Sequence, residues 1–462
     1  MELAFGVSAY QRDRGNLPEL PVVNMFVEKA PTETKQIALQ SRPPLVLSGQ
    51  QQGVGPITGI FKKDGVFNGD TFVVSGGNLY RVGTGLLGPI AGSGHVSMAG
   101  NEIGLVINAG AGVYFYDGAA LNLADFPDNA NVCKVLELAG RFIALRSGTG
   151  VFYWTEVLAN ALVAGVLTFG GLAFATAENE PDQLVDAVVI DDKLILGGKE
   201  TVEFWAKTGD NFLPFSPIEG LVYEKGVKAT GCMAPFDNAA IFISNDGLVY
   251  RASNVPQRIS DSGIEERLAG SATASIFPFF FEGHEFAAMR LDSETLVYDA
   301  QTQQWCEWAT NGETNWAARC AAPGPIFGSA LDGRTLDFGD DQHVELGGTL
   351  ERRFRAGLPM DGGALSVNNL RLRTNPGHTT YSTGQYADPV VEMRYSRDGG
   401  FTWSEWRPSK LGSQGEFRRQ VEWRALGMFD APGVLVEFRV TDPVGFRVSG
   451  VAINEAGGGR SR

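Results

Sequence analysis

The run Thr71-Phe72-Val73-Val74-Ser75-Gly76-Gly77-Asn78-Leu79-Tyr80 writes a hairpin in ten residues. β-Branched and aromatic residues flank Ser75 to Asn78, a stretch whose glycines and asparagine tolerate positive φ, so two short strands reverse tightly onto each other. The arrangement returns at Ala240-Ile241-Phe242-Ile243, Ser244-Asn245-Asp246-Gly247, Leu248-Val249-Tyr250. In each, the second strand closes on an aromatic residue. Such closing aromatics recur at Tyr80, Tyr116, Trp154, Trp205, Tyr250 and Tyr298, at intervals of 36, 38, 51, 45 and 48 residues. A further hairpin follows at Gly328-Ser329-Ala330-Leu331, Asp332-Gly333, Arg334-Thr335-Leu336. Self-similarity at roughly 40–50 residues, several strands to a unit, marks propeller blades. One small sheet cannot bury both its faces, whereas a ring of sheets buries them against each other. The sequence therefore reads as an all-β chain: an N-terminal arm over residues 1–39, then a β-propeller of six or seven blades over 40–344. The aromatic ladder serves blade-to-blade packing.

Beyond Glu345 the pattern changes. Leu370-Arg371-Leu372-Arg373, Val391-Glu392-Met393-Arg394-Tyr395 and Val434-Leu435-Val436-Glu437-Phe438-Arg439-Val440 alternate apolar and charged residues. Period-two alternation buries one face of a sheet and leaves the other to solvent. This predicts a C-terminal antiparallel β-sandwich over 345–456 with an exposed Arg/Glu face, followed by a disordered tail, 457–462. One short helix is expected over Ser262 to Leu268, capped by Asp261 or Ser262, with Glu265 placed for a capping box. Val157 to Ala177 carries no charge over 21 residues, the length of a membrane span. Asn160, Gly165, Thr168, Gly170, Gly171 and Thr176 break it into short pieces, so no membrane span is expected there.

The chain has 462 residues and a net charge of −15, unevenly distributed. From Glu345 onward, 16 Lys and Arg stand against 13 Asp and Glu, a net of +3, which leaves −18 on the first 344 residues. An acidic surface repels nucleic acid, so tight DNA binding by the propeller is not expected. The cysteines at 133, 232, 306 and 320 form no CxxC pair and fit no disulfide framework or zinc site, which suits folding in a reducing cytoplasm. Met1 to Gly6 shows neither the basic nor the apolar region of a signal peptide.

Chemistry-bearing motifs are few. Gly83-Thr84-Gly85-Leu86-Leu87-Gly88 matches GxGxxG, but Pro89 and a second glycine-rich turn follow where a phosphate-binding helix would have to begin. Ser396, Asp398, Gly400, Thr402 and Trp403 form an Asp box, a structural turn in which the carboxylate caps a hairpin and the indole packs beneath it. His95, His284, His343 and His378 make no i,i+3 or i,i+4 pair, so a metal site or histidine-dependent triad has no local basis. Asp191-Asp192 and Asp340-Asp341 read as solvated turn acids. No catalytic, cofactor-binding or metal residues are assigned, and a non-enzymatic protein is expected.

The middle of the chain resembles a known family. Phe174-Ala175, Ala177-Glu178 and Pro181-Asp182-Gln183-Leu184 precede Gly197-Gly198-Lys199-Glu200-Thr201-Val202-Glu203-Phe204-Trp205. Then come Thr208-Gly209-Asp210, Leu213-Pro214-Phe215, Gly231-Cys232, Gln257-Arg258-Ile259-Ser260 and Gly263-Ile264-Glu265-Glu266. Val23-Asn24-Met25-Phe26-Val27-Glu28 is similar to the family's opening, with Phe26 where Tyr is usual, and Phe438-Arg439-Val440-Thr441-Asp442-Pro443 to its final sandwich. The order and spacing resemble the packaged-DNA stabilisation proteins of podoviruses, the tail hub or nozzle. That resemblance implies a virion tail protein assembled in the bacterial cytoplasm. It implies a self-associating ring of six copies below the portal and its adaptor, docking tail fibres or spikes and a needle or plug. DNA would pass the lumen without sequence-specific binding; six copies at −15 each would sum to about −90. The alternative is an Asp-box glycan-binding or glycan-degrading phage tail protein.

Overall fold

The structure, a computed structural model, describes residues 1–6, 20–29, 37–177, 182–253, 255–339 and 343–455. Asp340-Asp341 and the tail 457–462 lie outside them.

Seven four-stranded antiparallel units occupy 57–89, 97–123, 132–176, 184–223, 233–258, 274–307 and 318–338, the last completed by strand Leu45–Ser48. Six are self-standing sheets, and the 274–307 unit continues into a larger sheet. Each first strand packs on the first strand of the next unit, and the seventh returns to the first, so the ring closes. Among the described residues the propeller therefore has seven blades, the upper of the two counts expected. All six closing aromatics lie in third strands: Asn78–Arg81, Val113–Tyr116, Val151–Thr155, Val202–Lys207, Val249–Ala252 and Thr295–Asp299. Thr335–Phe338, with Leu336, is the seventh. The irregular interval before Trp205 has a local cause. A 3₁₀ turn at Leu158–Ala161 and the small hairpin Leu162–Val163/Val166–Leu167 are inserted before the third blade's outer strand, Phe169–Thr176. The uncharged Val157–Ala177 stretch is thus loop and edge strand, and no helix among the described residues is long and apolar enough to cross a membrane.

The last blade is a clasp. Its inner three strands come from 318–338, and its outer strand is Leu45–Ser48, paired Ser48 to Thr335 through Leu45 to Phe338. Joining the two ends of the propeller in one sheet closes the ring by backbone hydrogen bonds. Leu45 anchors the clasp, fully buried.

The sandwich is built from Arg352–Pro359, Leu365–Thr374, Val390–Ser396, Arg407–Lys410, Val421–Phe429, Gly433–Val440 and Arg447–Ile453. The N-terminal arm is docked into it. Glu2–Phe5 bridges Arg447–Ile453 and Arg352–Pro359, and Ile37–Ser41 extends the sheet beyond Arg447–Ile453. Val22–Val23 pairs antiparallel with Arg352–Pro359 and parallel with Gln304–Glu307, the outer strand of the sixth blade. A 15-stranded sheet thereby runs from the propeller into the sandwich without a break. One apolar core spans both, from Phe279, Trp308 and Trp316 to Phe354, Trp423 and Phe438.

The expected helix is Ser262–Ala269, capped by Asp261, whose carboxylate accepts from Gly263 N and Ile264 N at 2.9 Å each. With the cap at Asp261, Glu265 falls one residue past the capping-box position. It accepts instead from Ser260 Oγ at 2.7 Å and pairs with Arg258.

Candidate functional site

The Asp-box residues come together as a turn. Ser396 Oγ donates to Asp398 Oδ1 at 2.7 Å and accepts from Gly400 N at 2.8 Å; Thr402 donates to Asp398 from both N (2.8 Å) and Oγ1 (2.5 Å). These donors hold the half-exposed Asp398 carboxyl down at about 2, the Thr402 hydroxyl first among them. Gly400 sits at φ 108, open to glycine and strained for other residues.

The turn's tryptophan belongs to a ladder the sequence did not disclose. Arg355 and Arg394 lie over Trp403 at 4.9 and 4.7 Å, and Arg394 and Arg439 lie over Trp406 at 4.6 and 4.3 Å. The pleat explains the order: Arg355, Glu437 and Arg394 are direct cross-strand neighbours, as are Glu392 and Arg439. Glu437 is fully buried and accepts from Arg355 at 2.9 Å and from Arg394. The Arg/Glu face expected to be exposed is therefore covered. The loop carrying Trp403 and Trp406 folds across it, and cation–π contact of about 0.5–2 kcal/mol each, with ion pairing, makes cover better than solvent. Both indoles are engaged by guanidinium groups, which is structural chemistry.

A second candidate lies on the propeller axis. Innermost strands of all seven blades line a cavity of about 790 Å³. Where these strands begin, His95, Lys134, Thr230, Thr273, Arg290 and Arg319 share one mouth; at the far end Lys63 pairs with Glu137 at 2.9 Å. Asp186 sits beneath the mouth with no exposure. It binds Lys134 Nζ at 2.7 Å and accepts from Gly231 N, Met233 N and Ala187 N at 2.7, 3.1 and 2.9 Å. Gly231, at φ 90, lets the backbone approach: a Cβ there would stand 2.5 Å from His95 Nδ1. The His95 ring faces the cavity yet is closely surrounded by protein. Burial, then Lys134, pulls its pKa down to about 4, so it is neutral at pH 7. The sequence marked only His95, as a lone histidine, and Gly231, as half of the Gly231-Cys232 pair, because the meeting of these residues depends on ring closure.

The remaining motifs disperse. Gly85–Pro89, the heart of the GxGxxG match, is the outer strand of the first blade. His284 Nδ1 meets Asp299 Oδ2 at 2.9 Å, and His378 packs on Phe417. Asp191 and Asp192 are exposed in a turn. Among the described residues no group of three His, Cys, Asp or Glu could hold a metal. Burial raises all four thiols; Cys133, Cys232 and Cys320 reach about 12, which leaves them inert.

Comparison with known proteins follows this architecture. Solved structures with fold-level likeness include PorZ of Porphyromonas gingivalis (15% identity, TM-score 0.36, covering 71% of this chain and 45% of that one). A streptogramin B lyase matches at 8% identity and TM-score 0.45, covering 64% of this chain and 98% of the other. Among curated proteins, the tail hub protein gp10 of Salmonella phage P22 is 26% identical over 260 residues, 50% of this chain and 54% of the relative. The chain thus aligns with about half the length of that relative. Residues 1–322 match the family described as "Bacteriophage P22 Gp10, beta-propeller", and residues 332–455 match "Bacteriophage P22 Gp10, beta-sandwich". A propeller clasped by its own N-terminal segment and sewn to a C-terminal sandwich, matched in both parts and in that order, places this chain in the P22 Gp10 family.

Proposed function

We propose that the chain is a structural hub, or nozzle, subunit of a short-tailed bacteriophage tail. The observation that carries this reading is the paired family match across both structural parts, with a tail hub protein as the curated relative. In this reading several copies, six by the family resemblance, form a ring below the portal and adaptor. They extend the DNA path, retain packaged DNA and present surfaces to fibres or spikes and to a needle or plug. The subunit is assembled in the host cytoplasm and resides in the virion tail. The propeller's own cavity has the volume of a small-molecule pocket, so the duplex would run between subunits. The acidity of the first 344 residues suits a wall past which DNA slides. The Asp box lies in the sandwich, its indole occupied by arginines, and this favours a structural role over glycan binding. The test is genetic and structural. A phage lacking this gene should make heads that fill and then lose DNA, and a reconstruction of the complete virion should place the chain in a ring under the adaptor. Infectious, normally tailed particles in its absence would sink the reading.

A further inference from the structure

We propose that the mouth of the propeller's axial cavity is a binding site for a phosphate-class oxyanion, held between the guanidinium groups of Arg290 and Arg319. Among the described residues seventeen arginines form ion pairs with carboxylates, from Arg42 to Arg447. The two at this mouth do not. Arg319 is exposed to the cavity and makes no hydrogen bond or ion pair among the described residues. Arg290 spends Nη1 on the carbonyls of Trp316 and Ala318, at 2.5 and 3.2 Å, which aims the rest of its fork into the same space. The carboxylates nearby are already committed. Asp186 is saturated by Lys134 and three backbone N–H groups. Asp292 accepts from Ala272 N at 2.6 Å, from Thr273 N at 3.2 Å and from the Thr273 hydroxyl.

What remains is a pair of like charges facing one half-enclosed space in a protein of net charge −15. Burial, and then Arg319, pulls the Arg290 pKa down to about 10: the two cations oppose each other, and an anion between them removes that opposition. Guanidinium forks match the tetrahedral oxygens of phosphate in spacing and direction. His95, neutral, lines the same cavity and offers a further donor. At about 790 Å³ the cavity has room for the remainder of a phosphorylated small molecule as well. The inference is independent of any place in a tail.

The experiment is calorimetric titration of the full chain at low ionic strength with inorganic phosphate, adenosine monophosphate and adenosine in parallel. Phosphate should bind with a dissociation constant of about 1 mM or tighter, and adenosine alone should not. Equal affinity for phosphate and the nucleotide makes the free ion the ligand; tighter nucleotide binding adds the rest of the cavity. Arg319→Ala and Arg319→Gln, which remove a side chain with no structural partner, should melt as the parent does without ligand and lose at least tenfold in affinity. Arg424→Ala, on the exposed sandwich surface, should bind unchanged. Absence of phosphate binding, equal binding by both Arg319 variants, or equal weakening by Arg424→Ala overturns the proposal.

Discussion

Arg42 and Glu345 form the most deeply buried ion pair among the described residues. Both side chains are wholly buried, bound through Nη1–Oε2 at 2.5 Å and Nη2–Oε1 at 2.8 Å. Arg42 Nε also reaches Asn24 Oδ1 at 2.8 Å, Glu345 accepts from Leu45 N at 2.9 Å, and the guanidinium lies over the rings of both Trp308 and Trp316. Removing one partner strands the other, so Arg42→Met and Glu345→Leu should each destabilise the chain by about 3–5 kcal/mol in denaturant unfolding. The double variant should recover most of that loss, because no lone charge remains. The sequence showed Glu345 only as the point where composition changes; a partner 303 residues away leaves no local trace. His284 gives a pH-dependent counterpart. Its bond to Asp299, foremost, raises its pKa above the ordinary 6.5. A raised folded-state pKa means stability that is full below the unfolded value and lost as pH climbs through the folded one. The parent should therefore lose stability from pH 6 to pH 8 by an increment missing in His284→Gln, measured as the difference between two urea titrations. His95, held near 4, acts with the opposite sign, adding stability as pH rises through the unfolded value of 6.5, and because parent and variant share it the difference between the two titrations removes it.

At the scale of elements, blades were legible and their closure was not. Hairpin turns and closing aromatics are local, so the third strands could be read directly from spacing, while the 51-residue interval before Trp205 left the blade count at six or seven. The clasp is different. Leu45–Ser48 is four residues long, with Leu45 buried and Val46 and Leu47 exposed, too short for periodicity to declare its partner. The arm likewise supplies strands of two to five residues, whose pairing with the sandwich is fixed by register across the molecule. The Asp box was legible as a turn because its donors and acceptor lie within seven residues. The cover it lends the Arg/Glu face was not, because Arg355, Arg394 and Arg439 come from three strands. The clasp makes a direct prediction. Leu45→Ala should lower unfolding free energy by about 2–5 kcal/mol, the range for emptying a filled leucine site. Leu47→Ala, two residues on and 46% exposed, should stay within about 0.5 kcal/mol. Equal effects would mean that the strand does not close the ring through its buried face.

For the whole molecule, the two family matches and the physical units do not divide at the same place. The boundary between 322 and 332 falls inside the seventh blade, between its innermost strand, Ala318–Ala322, and its third strand, Thr335–Phe338. The N-terminal strands that the propeller family claims are hydrogen-bonded to sandwich strands Arg352–Pro359 and Arg447–Ile453. A single core and a single 15-stranded sheet cross the junction. Separating the parts would expose the aromatic cluster of Phe279, Trp308, Trp316 and Phe327 on one side and the faces of Phe354 and Val448 on the other. The free energy of that cluster is shared, so neither part holds it alone. The chain should consequently unfold as one cooperative unit. Scanning calorimetry of the full chain should show one transition whose calorimetric and van't Hoff enthalpies agree, and a fragment ending at residue 331 should lack a cooperative transition while a chain ending at 455 keeps it. Two resolved transitions in the full chain, or a folded 1–331 fragment, would mean that the stitched sheet carries little of the stability.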